Sequence, residues 1–311
     1  MHLSNLRRKY GPWMPLYSFL IIPVVYVIVF RYIPMLGAQL AFRRYSILGG
    51  IWNSRWVGFE NFEMFFNSYQ FNRVLSNTLR LSLYLIFAGF PFPVIFALLL
   101  NTIRARRFKR VVQTVTYMPH FISTTVLVGI MLQFFNVNYG IYGKLYTALV
   151  GARAPDLFSS GTGFVNLYIW SGIWQDFGWG SIMYLAALTN VNPELHEAAQ
   201  LDGASRFQCM LHIDIPAIIP IITIMLVLRA GSVMNIGFEK VFLMQNDLNI
   251  AASEVISTYE YKRGFVVSSG IGSTTDVSLS TTIGLFNSTI NLLVLVVVNF
   301  VAGKLGETSL W

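Results

Sequence analysis

A chain of 311 residues that is 55% hydrophobic and only 12% charged lies far from a water-soluble domain, in which about a quarter of residues carry charge. Its net charge of +8 sits beside apolar runs, which suits an anionic membrane surface and argues against nucleic acid. Repeated runs of about 20 apolar residues, with a mean hydropathy of +0.57, predict an all-α polytopic membrane protein.

The first predicted span, 16–30, follows Arg7, Arg8 and Lys9. Arg31-Tyr32-Ile33-Pro34 comes directly after it with no small-residue cleavage site, so a retained helix is expected rather than a signal peptide. Residues 31–78 are mixed and aromatic, with Trp52, Trp56, Phe59, Phe62, Phe65 and Phe66, and read as an interfacial or extracytoplasmic segment with short amphipathic helices. The second span, 79–100, ends at Arg104, Arg106, Arg107, Lys109 and Arg110, the densest basic cluster in the chain. In a short loop such a cluster marks the cytoplasmic side; this reading is preferred over a phosphate site. The third span, 121–135, opens at Tyr117-Met118-Pro119-His120-Phe121-Ile122-Ser123, where His120 reads as structural.

The fourth span, 165–188, is the most polar and aromatic, holding Trp170, Trp174, Gln175, Asp176 and Trp179. An acid inside a span is costly unless it faces a bundle interior or a watery cavity, so Asp176 is a functional candidate. Aromatic faces cover sugar C–H surfaces while polar groups satisfy hydroxyls, and this stretch supplies both. An interfacial aromatic belt with Asp176 paired structurally explains the same residues, and both readings stand. The fifth span is set at 217–238 and the sixth at 279–302, with an outer loop over 246–276 between them. Asn287 and Asn291, four apart, line the same pathway or bond between helices. The result is six spans in a single domain, 1–311, with both termini inside.

Between the fourth and fifth spans lies a polar segment, 192–216, with its own helix signals. Asn192 can cap, Pro193 fits a first helical turn, and Glu194 and Glu197 sit near the positive end of the dipole. Gly203 permits a turn, after which Ala204 to His212 can form a second short helix carrying Phe207 and Met210. Two short helices around a glycine make a knob suited to another protein's groove.

The spacing Glu197-Ala198-Ala199, Gly203 four residues later, then nine residues before Ile213 and Pro216, resembles the E-A-A loop of permease subunits of bacterial type I ABC importers. Asp202 and Ala204 match the D-G-A form found in sugar importers, whereas Ile215 stands where leucine is usual. Gly58-Phe59-Glu60-Asn61-Phe62 is similar to a V-G-L-x-N-F segment common in sugar-importer permeases, and Tyr32-Ile33-Pro34-Met35, Phe108-Lys109-Arg110 and the Tyr117–Ser123 stretch resemble the complex-carbohydrate branch, which handles oligo- and polysaccharides including pectin- and alginate-type fragments. The resemblance covers most of the chain. It implies a bacterial inner-membrane location and docking of the loop into an ATP-binding subunit. Glu197 and Asp202 would make polar contacts, Phe207 and Met210 apolar ones. It also implies a second, similar permease, two ATP-binding cassette subunits that hold ATP and Mg, an extracytoplasmic solute-binding protein, and alternating access.

No phosphate-binding loop is completed at Gly143-Lys144-Leu145 or Gly303-Lys304-Leu305, and no His-Glu-x-x-His or Cys-x-x-Cys occurs. Catalytic residues, metal ligands and a cofactor of its own are therefore not expected, and the energy must come from a partner. A secondary transporter or channel for a small polar solute would explain the spans but leave the knob unexplained. A membrane-bound enzyme of polysaccharide metabolism lacks a catalytic motif.

Overall fold

The computed structural model describes residues 14–266 and 276–305, so Arg7, Arg8 and Lys9 lie outside the described residues. The chain divides into two compact units, Met1–Ser68 with Glu260–Leu285, and Tyr69–Tyr259 with Phe286–Trp311.

In the first unit, helix α1, Met14–Val27, continues through a widened turn at Ile28–Tyr32 and a tightened one at Leu36–Phe42. A hairpin follows, β1 Arg43–Ser46 against antiparallel β2 Ser54–Trp56, with Arg43 opposite Trp56. Phe42 collects the aromatic residues of this segment: Trp56 stacks on it at 5.6 Å, while Phe59 and Phe62 lie 5.5 and 5.4 Å away. Asn61, on α2 (Glu60–Phe66), is buried and donates to the carbonyls of Ala41 and Arg43 at 2.9 and 3.0 Å. The asparagine of the Gly58–Phe62 motif thus clips the hairpin's entry, satisfying backbone acceptors that no ladder reaches.

The second unit is built around one long helix. Helices α3 (Phe71–Gly89) and α4 (Pro91–Thr102) run on through Phe90, whose N–H still reaches the Ile86 carbonyl at 3.0 Å. Next come α5 (Arg106–Tyr117) and α6 (Thr124–Phe134), then the 29-residue α7 (Gly161–Thr189). The knob contributes α8 (Pro193–Leu201) and α9 (Arg206–Cys209), followed by α10 (Ile215–Ala230) and α11 (Phe238–Met244); of α12 (Val277–Leu305), only the part from Phe286 onward belongs to this unit. Helix α7 packs against α3, α4, α5, α10 and α11. One face joins Phe164, Ile169 and Ile173 to Leu81 and Val241; near its end Tyr184, Leu185 and Leu188 meet Leu98, Leu100 and Ile218. Between lipid-like surfaces no water-driven force holds helices together, so close backbone approach carries the association. Gly178 is such a place, because a Cβ there would overlap the Thr116 carbonyl.

Among the described residues, four helices are long and apolar enough to cross a membrane: Phe19–Phe42, Phe71–Thr102, Arg206–Ala230 and Val277–Lys304. The expected third span is a broken one, Arg106–Phe121 meeting Thr124–Phe134 at 96°. The break follows from Pro119 and from Ser123, whose Oγ accepts the Val126 N–H at 3.4 Å and so caps a new helix. The expected fourth span is continuous in α7, which at about 43 Å is long enough to cross; its polar side chains keep it below the apolar standard the other four meet. The fifth stops at Ala230 rather than reaching Phe238. There Ser82 donates to the Val233 carbonyl and Asn291 Oδ1 accepts the Met234 N–H at 2.9 Å, so non-helical backbone is satisfied by neighbouring side chains.

Candidate functional site

Two places in the second unit concentrate polar chemistry. One is a cavity of about 510 Å³ between α3, α4, α7, α10 and the segment 232–240. The other is the knob.

Gln175 and Asp176 of α7 face the cavity, joined by Arg229 from the end of α10 and by Glu239 and Lys240 from α11. Each acid has a partner from outside the cavity lining. Asp176 Oδ1 lies 2.9 Å from His120 Nδ1, and Glu239 Oε1 accepts from Thr125 Oγ1 at 3.0 Å. Gln175 Nε2 donates to the Ile122 carbonyl at 2.9 Å, holding the break in the third span against α7. Lys240 is buried, donating to the Tyr168 carbonyl at 3.2 Å with its ammonium 5.2 Å from that ring's centre.

The tryptophans sit elsewhere. Trp170, Trp174 and Trp179 do not line the cavity and are 48, 48 and 43% exposed. Trp170 meets Phe92 edge-on, and Trp179 stacks flat on His120 at 4.7 Å. The aromatic-plus-polar cluster is therefore divided: Gln175 and Asp176 line the cavity and the indoles do not, although His120 bridges the exposed Asp176 to Trp179. Asn287 and Asn291 do not line the cavity. Asn287 Nδ2 donates to Asn235 Oδ1 at 3.0 Å, and Asn235 itself lines the space. Arg229, at the end of an apolar run, and Lys240, between the expected fifth span and the outer loop, are not among the residues the sequence singles out.

In the knob, Asn192 Oδ1 accepts the Glu194 N–H at 3.1 Å and starts α8. Gly203 ends it with φ +82°, while the Ala204 N–H reaches back to the Ala199 carbonyl at 2.8 Å, a glycine-terminated helix end. Ser205 and Gln208 then form a reciprocal capping box that starts α9. The second helix thus begins at Arg206, later than Ala204, and winds through Met210–Asp214 into α10 with Pro216 in its first turn. Glu197, Ala198, Asp202 and Phe207 are exposed, and Ala199 and Ile213 partly so. Met210 packs inward on the Tyr184 cluster; the most exposed apolar side chain of the knob is Leu201, at 90%. Cys209 is buried, as a packing residue. Among the described residues no three His, Cys, Asp or Glu side chains come together as a metal site.

Apolar spans crossed by a polar cavity, with an exposed helix-turn-helix knob, define a multi-pass membrane permease. Residues 70–306 match the family described as the binding-protein-dependent transport system inner membrane component, and the chain belongs to that family. It is similar to Protein LplB of Bacillus subtilis (strain 168), 42% identical over 297 residues, covering 95% of this chain and 91% of that protein. It is 36% identical over 309 residues to the polygalacturonan/rhamnogalacturonan transport system permease protein YteP of the same organism, covering 99% and 92%. A chain in the crystal structure of a bacterial alginate ABC transporter, in complex with alginate pentasaccharide-bound periplasmic protein, superposes with a TM-score of 0.87 at 32% identity, covering 98% of this chain and 100% of that one.

Proposed function

We propose that this chain is the membrane permease of an ATP-driven importer that carries oligo- or polysaccharide across the bacterial inner membrane by alternating access. The observation that carries the reading is the knob. Its E-A-A spacing folds into an exposed helix, a glycine turn and a second, capped helix that runs without interruption into a span. YteP and the alginate transporter, both similar over nearly the whole chain, support a saccharide as cargo.

In this reading Glu197, Ala198, Ala199, Asp202, Gly203 and Phe207 form the surface that enters an ATP-binding subunit, with Leu201 as an added apolar contact. Met210, Ile213 and Pro216 join the knob to α10. ATP and Mg bind two such subunits, not this chain; a second, similar permease completes the pathway and an extracytoplasmic solute-binding protein delivers cargo. ATP closes the ATP-binding subunits and the knob moves with them. The spans then open toward the loaded binding protein, and hydrolysis resets the inward-facing state.

The test is co-purification in detergent of this chain with the ATP-binding subunit and second permease of its own organism. Wild type is compared with a Glu197→Ala, Gly203→Val double variant at matched expression. Capture by wild type and loss in the variant is the expected result. Equal capture of both would remove the knob as the docking surface, and capture of neither would remove the importer reading.

A further inference from the structure

The cavity's charges differ in what they have to bond with. Asp176 and Glu239 are engaged by His120 and Thr125, which stand behind the cavity lining. Arg229 and Lys240 have no ion pair among the described residues. Asp176 attracts Lys240 only from longer range. Lys240 is 8% exposed, spends one N–H on the Tyr168 carbonyl, and lines the cavity with the rest of its donor capacity unused. Arg229 lines the same space, and neither Asp176 nor Glu239 forms an ion pair with it. Burying an ammonium without an anion is costly, and a ligand bringing its own carboxylate would repair that deficit where a neutral sugar would not.

We propose that this cavity takes acidic saccharides, and that Arg229 and Lys240 bind the carboxylate of a uronate unit as it passes. The inference rests on the saccharide reading above and adds the charge of the cargo and the two residues that read it. Gln175 and Asn235, also on the cavity wall, are placed to bond the uncharged hydroxyls of the same unit.

The assembled importer, reconstituted in vesicles with its binding protein, allows a direct test. The probes are an oligogalacturonate and its methyl ester, the same sugar with its charge removed. Each variant's uptake is divided by wild-type uptake of the same probe, which cancels the binding protein's own preference. Arg229→Gln and Lys240→Gln should each lower uptake of the free acid about tenfold and change that of the ester less than about twofold. Lys240→Arg, which keeps the charge, should recover part of the loss. Arg229 is exposed, so its variant remains informative if Lys240→Gln fails to assemble. Equal losses for acid and ester, or none for either, would overturn the carboxylate site while leaving saccharide import intact. Wild-type uptake of neither probe, with ATP hydrolysis unstimulated by either, would overturn both readings.

Discussion

His196 Nε2 lies 3.2 Å from Asp214 Oδ1, tying the first helix of the knob to the base of α10. Asn101 Nδ2, at the end of α4, approaches the same oxygen at 3.5 Å. The carboxylate is buried, so three elements converge on one acceptor that water does not replace. Asp214→Ala is expected to lower the stability of the detergent-solubilised chain by about 1–3 kcal/mol, because it strands two polar partners. Asp214→Asn keeps an acceptor and should lose less. Thermal unfolding of both variants decides it: equal loss would mean that packing, not the carboxylate, secures the junction.

At Gly203 the cost of a side chain is purely conformational, since φ is +82° and nothing lies within 4 Å of an added Cβ. Gly203→Val should cost the turn about 1–2 kcal/mol, whereas Gly203→Asn should cost less because asparagine tolerates the left-handed region. The ratio of sugar transported to ATP hydrolysed is the readout, expected to fall in the order wild type, Asn, Val. A ratio unchanged in the valine variant would separate the turn from coupling.

Gly178 makes the opposite kind of demand. Its backbone is ordinary helix, but a methyl would overlap the Thr116 carbonyl, so Gly178→Ala must push α5 off α7. A loss of about 1–3 kcal/mol is expected from such overpacking. Gly129, with open space around it, provides the control, and Gly129→Ala should be neutral or slightly stabilising. Matching melting curves for the two variants would show that the close approach relaxes without cost.

In the first unit, burial pushes the Glu260 carboxyl up to about 7 from its usual 4.5. The folded form therefore binds its proton more tightly than the unfolded form. Stability is greatest below pH 4.5 and is lost as pH rises through about 7, where the penalty levels off. Glu260→Gln should flatten that part of the stability profile and raise stability at pH 8. A profile with the same slope in the variant would assign the pH dependence to other groups.

Much of this architecture is legible in the sequence because a lipid environment writes it as hydropathy. Apolar runs locate the spans, and the spacing from Glu197 to Pro216 locates the knob with its cap and glycine turn. Where the sequence misleads, backbone needs were met by distant side chains. Nothing near residue 230 announces that Ser82 and Asn291 will satisfy the carbonyl of Val233 and the N–H of Met234, ending α10 early. The break in the third span did carry a local signal, Pro119 followed by the capping Ser123, which its apolar surroundings masked. Polar residues of the fourth span pointed to a cavity, but helical spacing alone could not separate Gln175 and Asp176 from the indoles beside them. The cavity's basic side depends on how α10 and α11 fold against α7, and no local pattern in the sequence encodes that.

Phe207 in the knob and Arg229 at the cavity belong to one helix, Arg206–Ala230, with no break between them. Turned as a rigid rod about its middle, such a helix would act as a see-saw. Phe207 and Arg229 are about 33 Å apart along it, so a tilt of about 10° around the middle would carry each some 3 Å in opposite directions. Pro220 lies close to that midpoint and removes one rung of the backbone ladder, so the lever acts only as far as packing keeps the helix straight there. A displacement imposed at one end of such a rod would therefore appear at the other reversed in direction.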